Sequence, residues 1–507
     1  MKSNLNPRHL SAAFALISAT MVAGGWAADQ PQWGQQYTRN MVSGETGLPE
    51  SFDPQTGENV KWSASLGTES YATPVVGGGR VIIGANNGEP RDPRHQGDRG
   101  VLLCLNEEDG SICWQLVVPK FQGDVYLDWP GAGICSPATV EGDRVYAVTN
   151  RAEVVCLDLA GMANGNGGPY VDEGRHLVLP GEKPMEVGQL DADILWLFDM
   201  RAEVGMHPHD AAHSSILIDG PYLYLNTGNG VDNTHRKVRA PEAPSLIVLD
   251  KTSGKLVAQD GERIGPRIFH CTWSSPALAD VAGRRLVFFG GGDGVCYAFD
   301  ALTPSSTPGP AKTLPRAWRF DCDPTAPKED VSQYLRNRRV SPSNIKSMPV
   351  FHENRVYLTV GGDIWWGKNE AWLQCIDATQ TGNITETGLL WSYALNRHCC
   401  STPSIHNGLV FTADCGRTVH CVDASTGEAC WTHEANGEIW GSTLVADGRV
   451  YVGTRRGDLW VFAAAREKRV LGCVELDSPT ASTPVAANGV LYMATLRRLW
   501  AFQKPSP

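Results

Sequence analysis

Imidazoles, thiols and indoles cluster in a few short stretches of this 507-residue chain. His207-Pro208-His209-Asp210 leads to His213, and His270-Cys271 stands just before Trp273 and Ser274. His398 adjoins Cys399 and Cys400, and Trp440 follows later. Neutral imidazole and thiolate are the ligands that zinc and copper favour. His207, His209, Asp210, His398, Cys399 and Cys400 are therefore candidate metal ligands, although no spacing among them fixes a coordination geometry. The competing reading is a set of polar side chains pairing with loop carbonyls in a wet channel. Adjacent cysteines such as Cys399-Cys400 can close a strained, easily reduced ring; otherwise one pairs elsewhere and one stays free. Asp363-Ile364-Trp365-Trp366-Gly367-Lys368 carries two indoles that, if exposed, suit a sugar, peptide or protein contact. If folded in, they pack over the base of their own loop. Arg336, Arg338 and Arg339 form a small basic cluster that reads as a solvated loop or an anion contact. No phosphate loop, nucleophile elbow or zinc-protease helix is present, and Cys-x-x-Cys-His, the c-type haem attachment motif, is missing.

A repeated unit must position these groups. In His420-Cys421-Val422-Asp423-Ala424-Ser425-Thr426-Gly427-Glu428-Ala429-Cys430-Trp431, Asp423 closes a strand, Gly427 supplies the turn and Trp431 lies on the next strand. The spacing recurs at Asn106, Gly110 and Trp114, and at Asp250 and Gly254 with Ala258 in the aromatic place; looser copies end at Trp196, Trp318 and Trp391. Repeats at long, uneven intervals point to a radial array. Units begin near Ala72, Cys135, His213, Ser274, Ser347, Ser401, Gly441 and Ser482, each with a Val- or Tyr-rich second strand such as Arg144-Val145-Tyr146. Alternating β-branched runs and Gly/Asn/Asp turns support strands. The last unit lacks a fourth strand, and Val60-Lys61-Trp62-Ser63 resembles the missing one. The expectation is an all-β, eight-bladed propeller of four-stranded antiparallel blades, closed by pairing the N-terminal strand with the C-terminal blade.

In such blades the insertions 120–132, 200–212, 230–245, 321–346 and 362–371 crowd one face around the channel, where the inner strands start. Insertions 161–193 and 303–315 fall on the other face. The first face is the expected site of function.

Residues 1–27 read as a signal peptide: Lys2 and Arg8 precede an apolar run from Leu10 to Val22, and Gly25-Trp26-Ala27 ends in small residues. The run is shorter than a membrane span needs. No later segment is long and apolar enough to span, so a periplasmic or secreted protein is expected. Residues 28–59 are polar and turn-rich and are expected to wrap the outside, 60–503 form the propeller, and 504–507 are a tail. The formal charge of −11 excludes the basic face that nucleic-acid binding requires. Fourteen cysteines fit an oxidising compartment. Cys104 and Cys113, like Cys421 and Cys430, flank a tight turn and are expected to face each other as disulfides or as buried thiols.

The chain resembles the pyrroloquinoline quinone (PQQ) enzyme-repeat family over residues 60–503. The Asp-x3-Gly-x3-Trp turns carry the resemblance, and Trp33-Gly34 and Thr46-Gly47-Leu48 resemble an exported, PQQ-binding-like subgroup. Tyr222-Leu223-Tyr224-Leu225-Asn226-Thr227-Gly228-Asn229, followed by His270-Cys271-Thr272-Trp273-Ser274, is similar to the alcohol dehydrogenases of the family. There the asparagine at the place of Asn229 ligates a calcium bound to the quinone, and an aspartate at the place of Ser274 is the catalytic base. Here Ser274 supplies no carboxylate, Cys271 replaces a second acid, and Ala211-Ala212-His213 occupies the place of the tryptophan floor. The resemblance thus implies a propeller with a degenerate quinone site, with Asn229, His213, His270, Cys271, Trp273, Ser274 and Trp440 as candidate cofactor contacts. The expected function is a scaffold that binds a small molecule or an envelope protein at the channel mouth, Trp365 and Trp366 forming the partner loop. The alternatives are a divergent PQQ- and calcium-dependent or zinc- or copper-dependent oxidoreductase, and an envelope protein-assembly propeller.

Overall fold

The computed structural model describes residue 1 and residues 28–304 and 309–505; apart from residue 1, the expected signal peptide lies outside them. The regular secondary structure of the described chain is almost entirely β-strand, arranged as eight antiparallel sheets, three of which gain a short extra strand. The innermost strands are Val75–Gly77, Thr139–Glu141, Leu217–Asp219, Ala277–Val281, Val350–His352, Ser404–His406, Leu444–Ala446 and Val485–Ala487. Val60–Ser65 pairs antiparallel with Arg498–Phe502 and completes the last blade, so the ring has no open edge. The core lies between blades: Val76, Ile83 and Leu103 of the first pack with Tyr492, Leu499 and Ala501 of the last.

The repeated turn locks neighbouring blades together. Asp423 accepts hydrogen bonds from the amides of Ser425 (2.9 Å) and Thr426 (3.1 Å), and Gly427 turns back with φ 76°. A Cβ at Gly427 would stand 2.7 Å from the Trp391 ring of the preceding blade, so only glycine fits. The Trp391 indole donates to the Ala424 carbonyl at 3.0 Å. Trp62, Trp114, Trp196, Trp318 and Trp431 make the same bond to the next blade.

Each blade carries a register shift beside this residue, a β-bulge that gives one strand an extra residue. The bulge corrects the expected pairing of cysteines. Trp114, not Cys113, stands opposite Cys104, and Trp431, not Cys430, stands opposite Cys421. All fourteen cysteines are free thiols.

A second correction concerns residues 28–59. Instead of wrapping the outside, residues 30–43 thread across the bottom of the inner-strand ring. The amides of Val76, Val140, Leu278, Phe351 and Val445 donate to Gln30, Pro31, Tyr37, Thr38 and Met41 carbonyls at 2.8–3.1 Å. The innermost strands leave one edge unpaired, and this segment satisfies it. Arg39 is fully buried and donates to the carbonyls of Pro276 (2.9 Å), Trp33 (3.0 Å) and Ser215 (2.9 Å). Burial pushes its guanidinium down to about 9, which leaves it charged at neutral pH. Above the thread, a ring of hydroxyls joins successive inner strands: Ser136 to Ser214, Ser275 to Ser215, Ser274 to Ser347, Thr402 to Met348, Ser442 to Thr402, and Thr483 to Ser442.

Candidate functional site

With its bottom threaded, the channel becomes a blind cavity of about 430 Å³. Every blade contributes a residue from just before its innermost strand: Thr73, Cys135, His213, Trp273, Lys346, Cys400, Gly441 and Ala481. Trp33 rises from the thread, and Trp129, Trp365, Trp366, Trp440, Tyr71 and Tyr126 complete an aromatic lining. The Trp33 indole donates to Thr483 Oγ1 at 3.2 Å, and its ring meets His213 edge-on at 5.7 Å.

The inserted loops are interlocked around this cavity. The amide of Asp210 donates to the Tyr126 carbonyl and the amide of Trp129 to the Asp210 carbonyl, both at 2.6 Å. Arg338 holds the 363–368 loop by donating to the carbonyls of Ile364, Trp365 and Gly367. Trp365 and Trp366 are half-buried: Trp366 lies 4.5 Å from the His235 ring, and Trp365 packs on His270, Trp273 and Trp440. They form the wall rather than a projecting flag.

A cluster of imidazoles lies in one side of this wall. His209 Nε2 stands 3.0 Å from His235 Nε2, and one nitrogen from each of His209, His235 and His270 falls within 4.8 Å of the others. Asp210 places Oδ1 3.6 Å from His209 Nε2 and Oδ2 3.5 Å from His270 Nε2. Behind His270, Nδ1 meets Asp363 Oδ2 at 3.1 Å, and Lys346 Nζ reaches the same oxygen at 3.1 Å. The other Asp363 oxygen accepts from the amides of Trp365 and Trp366 at 3.0 Å. Burial opposes ionisation of Asp363, yet His270 and Lys346 outweigh it and hold the carboxyl well below its usual range. Burial likewise opposes a charge on His270, and Asp363 raises it to about 10. Burial, with His270 and His235 alongside, pushes His209 down to about 2; burial also lowers His235 and raises Asp210.

The remaining sequence candidates separate into lining and scaffold. His213, Trp273, Trp440 and Cys400 line the cavity. Burial lowers His213 to about 4. Trp273 donates to the Ala211 carbonyl at 3.1 Å, with Lys346 Nζ 4.6 Å over its ring. Trp440 donates to Glu438 Oε2 at 3.3 Å beneath Arg455. Cys400 faces the cavity, whereas Cys399 points the other way, into the core with Tyr357 and Trp391, its Sγ 2.9 Å from the Ala413 carbonyl. Consecutive residues of an extended segment face opposite sides, which separates the two thiols. Cys271 is buried with Sγ 3.6 Å from Lys346 Nζ. His207 and His398 lie outside the imidazole cluster. Sequence reasoning missed His235, Lys346, Asp363, Trp33, Tyr126 and Trp129; only their placement in insertions and in the opening Trp33-Gly34 pair marked them.

A family model described as outer membrane protein assembly factor BamB matches residues 39–162 and 369–495. The quinohemoprotein alcohol dehydrogenase of Comamonas testosteroni is 30% identical over 110 residues, which are 19% of this chain and 15% of that protein. Among solved structures, BamB from Moraxella catarrhalis superposes with a TM-score of 0.51 at 14% identity, covering 88% of this chain and 97% of that one. A europium-containing methanol dehydrogenase gives 0.59 at 11% identity, with 94% and 98% covered. At such identities these structures establish the fold alone. The chain belongs to the PQQ-repeat β-propeller family.

The residues that the sequence resemblance sets at the dehydrogenases' calcium and base positions are committed to the scaffold. Asn229 is fully buried; its Oδ1 accepts from the His207 amide (3.1 Å) and its Nδ2 donates to the Ala240 carbonyl (2.9 Å). Ser274 belongs to the hydroxyl ring and donates to the Ser347 carbonyl at 2.7 Å. These residues do not fit a calcium-bound quinone.

Proposed function

We propose that this protein is an exported binding propeller whose channel mouth seats a small, ring-bearing organic molecule of low net charge. The observation that carries the reading is the blind cavity, closed below by residues 30–43 and walled by six tryptophans. Its volume and mostly apolar lining are those of small-molecule sites. The buried charges in its wall are paired within the protein, Lys346 and His270 sharing Asp363 Oδ2 at 3.1 Å each, so the apolar lining favours ring-bearing molecules over ions. Menadione, a neutral bicyclic quinone, is a suitable probe. Saturable quenching of tryptophan fluorescence that weakens in Trp440→Ala supports the reading; menadione and a neutral oligosaccharide both failing to bind would sink it. Saturable binding of PQQ with calcium that disappears in Asn229→Ala would instead favour a quinoprotein oxidoreductase.

A protein partner at the same face is the second reading. Trp129 (46% exposed), Val125 (52%) and Val340 (50%) expose apolar surface on the 120–132 and 321–346 insertions. The match to an assembly-factor family supports it. Under this reading, Val125→Ser with Val340→Ser, both outside the cavity lining, abolishes capture of an envelope protein while leaving menadione binding in place.

A further inference from the structure

We propose that His209, His235, His270 and Asp210 bind one divalent transition ion of the zinc or copper class in the wall of the cavity. The argument is geometric. Zinc–nitrogen bonds are about 2.0–2.1 Å, so imidazole nitrogens sharing a tetrahedral ion stand about 3.4 Å apart. The three nitrogens here, all within 4.8 Å with the closest pair at 3.0 Å, need only small side-chain adjustments to enclose one.

The outward nitrogens are already committed. His209 Nδ1 donates to the Val231 carbonyl at 2.8 Å, and His270 Nδ1 faces Asp363 Oδ2 at 3.1 Å. Outer partners of this kind orient metal-bound histidines, with Nδ1 facing outward and Nε2 inward. The inward side is correspondingly unsatisfied: His270 Nε2 and Asp210 Oδ1 are buried with no hydrogen-bond partner. A buried polar atom without a partner costs about 1–3 kcal/mol, and a bound cation would satisfy both together.

Backbone strain points to the same place. Asp210 (φ 62°) and His235 (φ 58°) occupy the left-handed region, where non-glycine residues cost on the order of 1 kcal/mol. The Asp210 amide and carbonyl are tied to Tyr126 and Trp129, and the His235 amide donates to the Asp232 carbonyl at 2.9 Å, so two insertions are held with their side chains towards His270. Three imidazoles and a carboxylate suit zinc(II) or copper(II) over harder ions. Cys271 does not join them; its sulfur lies 3.6 Å from Lys346 Nζ and 3.6 Å from the outward His270 Nδ1. His235 and Asp210 also line the cavity, so an open coordination position would face its interior. The assignment does not depend on an organic ligand occupying that cavity.

The test uses the mature chain, stripped with chelator and titrated with zinc against a chromophoric competitor of micromolar affinity. One ion per chain is expected, with affinity lowered about a hundredfold in His235→Ala, whose fold is checked by circular dichroism. Asp363→Asn, which removes the outer partner's charge and with it the counter-ion of Lys346, lowers it roughly 10–100-fold. Copper(II) loading adds an independent readout: nitrogen hyperfine structure in the spin-resonance spectrum that changes in His235→Ala. The assignment is overturned if the stripped chain takes no zinc from the competitor. It is also overturned if bound zinc survives His235→Ala, or is lost in His95→Ala. His95, with Asp92 and Asp191, is the other such group among the described residues.

Discussion

The two ends of the channel are built from similar loop-like sequence and solve the burial of polar groups in opposite ways. At the bottom, none of the buried polar side-chain atoms of residues 30–43 lacks a partner; Arg39 alone makes four hydrogen bonds. At the mouth, His270 Nε2, Asp210 Oδ1 and His398 Nδ1 are buried without one. A fully satisfied polar network rigidifies a fold, whereas unsatisfied groups persist where a site requires them. The bottom is therefore scaffold and the mouth is the region held ready for something else.

Arg39 should give the largest effect, on stability alone. Arg39→Ala leaves the Pro276, Trp33 and Ser215 carbonyls buried without their donor, and the summed cost is roughly 4 kcal/mol. Chemical denaturation measures it. A loss under about 1 kcal/mol would mean that the thread is not an integral part of the ring, and the contrast between the ends would fail.

The pH dependence should come from the mouth. His213 titrates near 6.5 in an unfolded chain and is lowered by burial to about 4 in the fold. Between those values the unfolded chain binds the extra proton, so this contribution is complete above pH 6.5 and is lost as pH falls towards 4. Its ring is partly open to the cavity, so solvent screening limits the loss to about 2 kcal/mol. His213→Gln should flatten that part of the stability–pH curve, and an unchanged acid limb would move the titration elsewhere.

The same contrast explains what was legible in the sequence. Blade number, blade starts and ring closure follow from a repeat whose Asp, Gly and Trp each have a local task, and all eight inner strands lie where Ala72 through Ser482 place them. The bulge is invisible in that spacing, so Cys104 and Cys113 read as direct partners when Trp114 takes the place opposite Cys104. Residues 30–43 look like surface because polar, turn-forming composition signals exposed backbone. Here the hydrogen-bond partners are free strand edges inside the ring, and composition carries no sign of them. At the mouth, His209 and His270 stand out as neighbours of other unusual residues. His235 sits alone in the 230–245 insertion, 26 residues from His209, and only the closing of that loop brings the two rings together.

Trp365→Ala sharpens the contrast from the mouth side. The indole is half-buried and packs on Trp273, Trp440 and His270 across the cavity, not on a blade core. Removing it should weaken menadione binding about tenfold, or 1.4 kcal/mol, with little change in melting temperature. A variant that melts early but binds normally would place Trp365 with the scaffold.

Ser274→Ala should give the smallest effect, and it is the decisive one for how this chain relates to the dehydrogenases. Ser274 stands where those enzymes carry an acid, but its hydroxyl donates to the Ser347 carbonyl and so links the fourth blade to the fifth. If that is its whole task, the substitution costs about 1 kcal/mol of stability and leaves zinc and menadione affinities unchanged. The neighbouring bond from the Ser215 amide to Ser275 Oγ supplies an internal standard, since Ser275→Ala should cost about as much. A Ser274→Ala variant that folds as stably as the parent but loses ligand would show that the position of the family's acid still serves the mouth in this chain.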